Sequence, residues 1–131
     1  MALTLDEANR IAAAAIAKAK DLNIRINVAV CDAGGHLMAF QRMDNAIWAG
    51  AYGSQGKAVA SAAFARPSGE LTERANHPTL RGIQEASGGR MIMGQGAVPI
   101  MRGDAVVGAV GVGGGTAQED EDCARAGAAA L

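Results

Sequence analysis

Residues 104–128 read DAVVGAVGVGGGTAQEDEDCARAGA, and this stretch decides the fold. An apolar strand runs into a series of glycines, which passes directly into a helix that opens with acidic residues. Glycines at the end of a strand leave bare backbone, so a ligand or a second chain can approach closely. The stretch from Val28 to Asp44, VAVCDAGGHLMAFQRMD, has the same character. Together the two stretches predict a small α/β domain that binds a ligand.

The length and composition predict one domain over residues 1–131, large enough for a core without disulfides or a metal. Half of the residues are hydrophobic, yet the aromatic residues are two Phe, one Trp and one Tyr, and 18 residues are glycine. Because small side chains bury little area, we expect stability to depend on close packing or on subunit association.

The charge pattern argues against several classes of partner. The net charge is −1, from 12 basic and 13 acidic residues that are well mixed, so nucleic acid is not expected. No apolar run reaches the ~18 residues of a membrane helix, and Asp6 and Glu7 near the start do not fit a signal peptide. We therefore expect a cytoplasmic protein. Cys31 and Cys123 are expected to be buried thiols.

The hydrophobic pattern predicts helices around an antiparallel sheet, which is an α+β fold class. Capping boxes open the first helix at Thr4 and the last at Thr116, and a second helix is predicted over 46–65. The predicted strands are 24–31, 36–43, 90–93, 97–102 and 105–112. The short turns between neighbouring strands exclude an alternating βαβ dinucleotide fold.

The glycine run at Gly111–Thr116 resembles a phosphate loop only superficially. It lacks the Gly-Lys-Ser/Thr of a Walker loop, and four acids from Glu119 to Asp122 would repel a phosphate at that helix end. A backbone-lined pocket wall or a subunit contact is the favoured interpretation.

Two histidines are candidate functional residues. His36 follows Gly34-Gly35 at the start of a strand, where an imidazole can ligate iron or act as an acid or base. It can equally be a polar strand-end residue bonded to a loop carbonyl. His77 precedes Pro78, which holds it extended and can aim its side chain, or it is merely solvated. Neither histidine has zinc-ligand spacing.

Charged residues near these positions complete the candidate list. Asp32 either moves a proton with His36 or caps its own turn. Lys57 lies in a helix of small residues, where it is a substrate clamp, an altered base or a lysine reaching to solvent. Arg66 can hold a ligand carboxylate or form a surface ion pair. Trp48 and Tyr52, four residues apart, are expected to pack together or line an interface.

Four segments carry a resemblance to a known family: VAVCDAGGHLMAFQRMD, SQGKAVASA, QGAVPIMRGDAVVGAVGVGGG and DEDCARAGAAAL. They resemble the GlcG/HbpS family, also seen as the C-terminal domain of PduO-type proteins, in the same order over nearly the whole chain. The resemblance implies a profilin-like α/β/α three-layer fold with a five-stranded antiparallel sheet. It also implies dimers that assemble further into hexamers or octamers, and in some members heme binding.

The family positions matched are Asp32, Gly34, Gly35, His36, Lys57, Pro99, Gly103, Gly111, Gly113, Gly114 and Asp120. Residues 95–99 (QGAVP) depart from the pattern, since the family more often has two adjacent glycines there.

These observations lead to two functional hypotheses. The first is a homo-oligomeric binding protein for heme or another small molecule, with His36 as the iron ligand and Gly113, Gly114, Pro99 and His77 as ligand-binding residues. The second is a cofactor-independent isomerase, lyase or hydrolase acting on a small carboxylic or hydroxy acid in a catabolic pathway. In that case Lys57 or Arg66 holds the carboxylate, and Asp32 or His36 moves a proton.

Overall fold

The computed structural model describes residues 1–131 as a four-stranded antiparallel sheet with helices on both faces. The helices are α1 (Leu5–Asp21), α2 (Ala49–Phe64), a 3-10 helix (Ser68–Arg74), α3 (Pro78–Ala86) and α4 (Ala117–Ala128). The strands are β1 (Asn27–Asp32), β2 (Leu37–Arg42), β3 (Ala97–Arg102) and β4 (Ala105–Gly113). Their order across the sheet is β2-β1-β4-β3.

The predicted α/β/α arrangement is correct, but the prediction of five strands is wrong. Residues 90–93 form a loop that packs on α2, and the amide of Ile92 donates to the carbonyl of Gly56 at 3.0 Å. Their apolar sequence suits a strand, but in the structure it covers α2. Met93 lies in a small buried cluster with Ala60 and Leu71. The sheet therefore ends at β3, whose Pro99 suits an edge strand.

One face of the sheet is covered by α1 and α4, and we call it the closed face. Both predicted capping boxes are present, at Thr4 with Glu7 and at Thr116 with Glu119. The apolar stripes of these helices and the inward residues of the strands form a core of 16 buried residues, including Ile11, Val28 and Cys123. Burial on this scale is the main stabilising term of a domain of this size.

The opposite face is covered mainly by α2, with the 3-10 helix packed beside β3, and we call it the α2 face. Here the glycines of β4 allow the helix to lie directly on the strand. A Cβ at Gly111 would collide with the carbonyl oxygen of Ser54 and the amide of Ala58, and one at Gly113 would meet the carbonyl oxygen of Gly50. The space that these glycines are expected to leave for a ligand is occupied by α2.

None of the helices combines the length and apolar composition that crossing a bilayer demands.

Candidate functional site

The turn between β1 and β2 holds a hydrogen-bonded pair of Asp32 and His36. Oδ1 of Asp32 accepts from the backbone amides of Gly34 and His36, both at 2.9 Å, and lies 3.1 Å from Nδ1 of the His36 ring. The sequence Asp-Ala-Gly-Gly permits this tight turn because Gly35 takes a positive φ of 80°. The turn therefore positions the Asp32 carboxylate, and that carboxylate orients the His36 imidazole.

The charge of Asp32 sets the tautomer of the neutral imidazole. Partial desolvation raises the pKa of Asp32, but the amides of His36 and Gly34 and the His36 ring outweigh it, so the pKa is lowered overall. An ionised Asp32 accepts a hydrogen bond from Nδ1–H, so in the neutral ring the lone pair lies on Nε2. The His36 side chain is 76% exposed. Its Nε2 is thus free to bind a metal or to take a proton.

A shallow basin surrounds this pair, and we call it the His36 basin. Its volume is about 470 Å³, and Met1, Leu3, Val106 and Val107 provide apolar walls beside the turn. In residues 1–131 no group of three or more His, Cys, Asp or Glu side chains is placed to hold a metal ion. A bare ion would therefore find few ligands, whereas an iron already held by a macrocycle needs only an axial donor.

A second cleft of about 310 Å³ lies between α2 and the uncovered part of the sheet, and we call it the α2 groove. Its floor includes Ala29 and Cys31 of β1, and its walls include Val59 of α2 and Ile92 of the following loop. Burial raises the pKa of the Cys31 thiol to about 11, although a hydrogen bond with the backbone of Ala109 opposes this. The thiol is neutral, and Cys31 and Cys123 are both free and buried as predicted.

Lys57 and Asp120 form a buried ion pair across α2 and α4. The ammonium donates to Oδ2 of Asp120 at 3.3 Å and to the carbonyl of Gln95 at 3.3 Å, and the side chains are 10% and 6% exposed. Oδ1 of Asp120 accepts from the amide of Gly115 at 2.8 Å. Burial raises the pKa of Asp120, and the Lys57 charge opposes that shift. The pair joins the two faces of the sheet and lines neither cleft.

The other candidate residues are dispersed. Arg66 is exposed just after α2, and its backbone forms hydrogen bonds with the carbonyl and the hydroxyl of Ser61. His77 is the N-cap of α3, where its Nδ1 accepts from the amide of Thr79 at 3.3 Å. Pro99 lies on the edge strand β3 and pairs with Ala109. Of the candidates, only Asp32 and His36 are brought together beside a cleft.

Gly113 and Gly114 have packing contacts. A Cβ at Gly113 would meet Gly50 in the first turn of α2, and one at Gly114, whose φ is 129°, would meet the carbonyl oxygen of Arg25. Neither glycine lines a cleft.

Two cleft residues were not among the sequence candidates. Arg90 lies over the α2 groove, and Leu3 lies beside His36. The pair of glycines before Arg90 signals a turn that can aim its side chain, but the partner of that side chain is 55 residues away in sequence. Leu3 precedes the first capping box, and nothing in its local sequence indicates a cleft.

This fold, with an exposed imidazole oriented by a carboxylate, defines a small α/β/α domain suited to binding. The chain matches the family model described as "Haem degrading protein HbpS-like" over residues 3–129, and it belongs to that family.

Relatives of known sequence or structure agree with this assignment. Protein GlcG of Escherichia coli K12 is 34% identical over 110 residues, which cover 84% of this chain and 80% of GlcG. A crystal structure of HbpS superposes with a TM-score of 0.90 at 32% identity, covering 100% of this chain and 91% of that one. A crystal structure of a PduOC:heme complex has a TM-score of 0.88 at 25% identity, covering 100% and 96% of the two chains.

Proposed function

We propose that this protein binds heme and that Nε2 of His36 would ligate the iron. The observation that carries the proposal is the Asp32–His36 pair, in which Nδ1 is held by a carboxylate and Nε2 faces solvent beside an apolar basin. Metal-binding histidines commonly donate their other ring nitrogen to such a partner. The heme complex of the PduOC relative supports the same ligand class.

The residues around the iron site have separate roles in this proposal. Asp32 orients the His36 ring and makes Nε2 a better donor. Leu3, Val106 and Val107, which line the basin, would offer a bound heme apolar contact. Heme, when bound, supplies an iron with an open coordination position.

A hemin titration followed by the Soret band tests the proposal. Wild-type protein is expected to shift the band with saturation at micromolar hemin, and His36→Ala should lose the spectrum of the ligated iron. Asp32→Asn is expected to weaken binding about 10- to 100-fold, since it leaves the ring unoriented. His77→Ala is the matched control, because His77 is exposed and does not line the basin, and it should bind like wild type. An unchanged titration for His36→Ala would remove the ligand assignment.

We also propose that the protein is a homo-oligomer built from dimers, as a hexamer or an octamer. The support is an exposed apolar cluster at the start of α2, where Ile47, Trp48 and Tyr52 are 64%, 68% and 71% exposed. The two aromatic rings pack edge to face with centroids 6.2 Å apart, which confirms the predicted contact. Exposed apolar clusters of this kind mark association sites. Light scattering of wild type and of Trp48→Ser/Tyr52→Ser should show a larger assembly only for wild type.

The enzyme hypothesis draws on the same pair of residues. With Nδ1 held by Asp32, Nε2 of His36 can take a proton from a small carboxylic or hydroxy acid. In that reaction Lys57 would be an unsuitable clamp because Asp120 already binds its ammonium, and Arg66 would have to act from outside both clefts. A rate that depends on a neutral imidazole and disappears in His36→Ala, without hemin, would favour catalysis over heme binding.

A further inference from the structure

The α2 groove combines apolar walls with a single positioned cation. Its apolar lining includes Ala29, Leu37, Val59 and Ile92, and Arg90 lies at its edge. We propose that the α2 groove is a second binding site, specific for a small monocarboxylate with an apolar body, and that Arg90 binds the carboxylate. The site is separate from the His36 basin, and the inference does not depend on heme.

Arg90 is held in place without being neutralised. Its Nη2 donates to the carbonyl oxygen of Gly35 at 2.7 Å, which ties it to the β1–β2 turn. None of the four ion pairs of the protein includes Arg90. Gly88 and Gly89, with φ values of 79° and 73°, form the turn that precedes it. A guanidinium has five N–H donors, so donors remain for the two oxygens of a carboxylate.

The size and polarity of the groove select the rest of the ligand. A volume of about 310 Å³ accommodates roughly ten non-hydrogen atoms if each takes the ~30 Å³ of a water molecule. The Cys31 thiol on the floor is neutral, so it does not repel an anion. Gln55 is fixed by its donation to the carbonyl of Ala51 at 3.1 Å, which leaves its amide oxygen free. Tyr52 adds an aromatic face at the rim.

The charge of the groove argues for one carboxylate rather than for a phosphate or a dicarboxylate. Arg90 is the only Lys, Arg or His among the 12 residues that line the groove. A dianion would leave one charge without a partner against apolar walls, which is costly. A monoanion can pair its carboxylate with Arg90 and pack its apolar part against Val59 and Ile92.

Calorimetric titration with benzoate and with its neutral analogue benzamide tests this site. Wild type is expected to bind benzoate, and to bind benzamide at least about tenfold more weakly, because a hydrogen bond to a charged group is lost. Arg90→Gln should weaken benzoate binding by a similar factor, and Arg90→Lys by less, since it keeps the charge but loses the fork. Arg81→Gln, an exposed arginine on α3 outside the groove, is the matched control and should bind like wild type.

Several results would overturn the proposal. One is the absence of benzoate binding to wild type at millimolar concentration. Others are equal affinity for benzoate and benzamide, or equal loss in Arg90→Gln and Arg81→Gln. His36→Ala should retain benzoate binding, and this separates the groove from the heme proposal. A thermal melt of each variant checks that Arg90→Gln remains folded, which is expected because Arg90 is exposed.

Discussion

The two faces of the sheet are built in opposite ways. The closed face buries aliphatic side chains such as Ile11, Val28 and Val110 under two helices, with no exposure to solvent. On the α2 face, glycines and alanines bring one helix so close to β4 that backbone touches backbone, and part of the sheet beside it stays uncovered. The closed face therefore holds most of the buried apolar core, whereas the α2 face keeps an open groove beside its single long helix.

The largest expected loss comes from breaking the closed face. Ile11 is fully buried, so Ile11→Ala should lower the free energy of unfolding by about 4 kcal/mol through lost transfer energy and the cavity left behind. Chemical denaturation measures this. Leu5→Ala is the control in the same helix, since Leu5 is 56% exposed and should change stability little. Equal losses for the two variants would contradict the role assigned to this face.

The Lys57–Asp120 pair joins the two faces, and removing one partner should be costly. Lys57→Met leaves a buried carboxylate without its cation, and we expect a loss of about 3 kcal/mol in the free energy of unfolding. The pKa of Asp120, already raised by burial, should rise further, which an NMR titration detects. Lys57→Met/Asp120→Asn should recover part of the loss, and no recovery would contradict a direct interaction.

The close approach of α2 to β4 predicts opposite effects for two glycines. Gly111→Ala places a methyl group against the backbone of Ser54 and Ala58 and should destabilise the protein by about 2 kcal/mol. Gly53→Ala, in α2 with nothing within 4 Å of the added carbon, should stabilise it by about 0.5–1 kcal/mol. Thermal melts of both variants measure these changes in stability. Stabilisation by Gly111→Ala would mean that α2 does not lie directly on the strand.

The smallest effect is a pH dependence at the edge of the closed face. The hydrogen bond from Arg102 to Glu7, assisted by Thr4, lowers the pKa of Glu7 from its usual 4.5 to about 2. Because the folded pKa is the lower one, the stabilisation is present above pH 4.5 and is lost as pH falls towards 2. Glu7→Gln should therefore have a lower Tm than wild type at neutral pH and the same Tm as wild type near pH 2. A constant difference across this range would exclude the ion pair as the cause.

The sequence predicted the closed face better than it predicted the sites. Capping residues and the spacing of Ala8, Ile11 and Ala15 are local signals, and they placed α1 correctly on the sheet. The prediction of an extra strand at 90–93 was wrong because a short apolar run does not reveal whether it pairs with a strand or covers a helix.

The sites depend on contacts between distant residues. Asp32 and His36 are four residues apart, so their pairing lies within reach of a sequence argument. The partner of Lys57 is 63 residues away, and that of Arg90 is 55 residues away. The glycines of β4 predict space for a ligand, but α2 occupies that space, because the sequence alone does not say what approaches a bare backbone.

The proposed heme site at His36 adjoins the edge of the closed face, which supplies Leu3 and Val107, and it shares the β1–β2 turn with the α2 groove. NMR spectra of wild-type protein with ferric hemin test this proposal directly, since a paramagnetic iron broadens the signals of nearby amides. We expect the broadening to be centred on residues 1–3, 32–36 and 105–107, which lie around His36. Broadening centred on α2, on His77 or on the α1–α4 surface, with residues 32–36 unaffected, would contradict it.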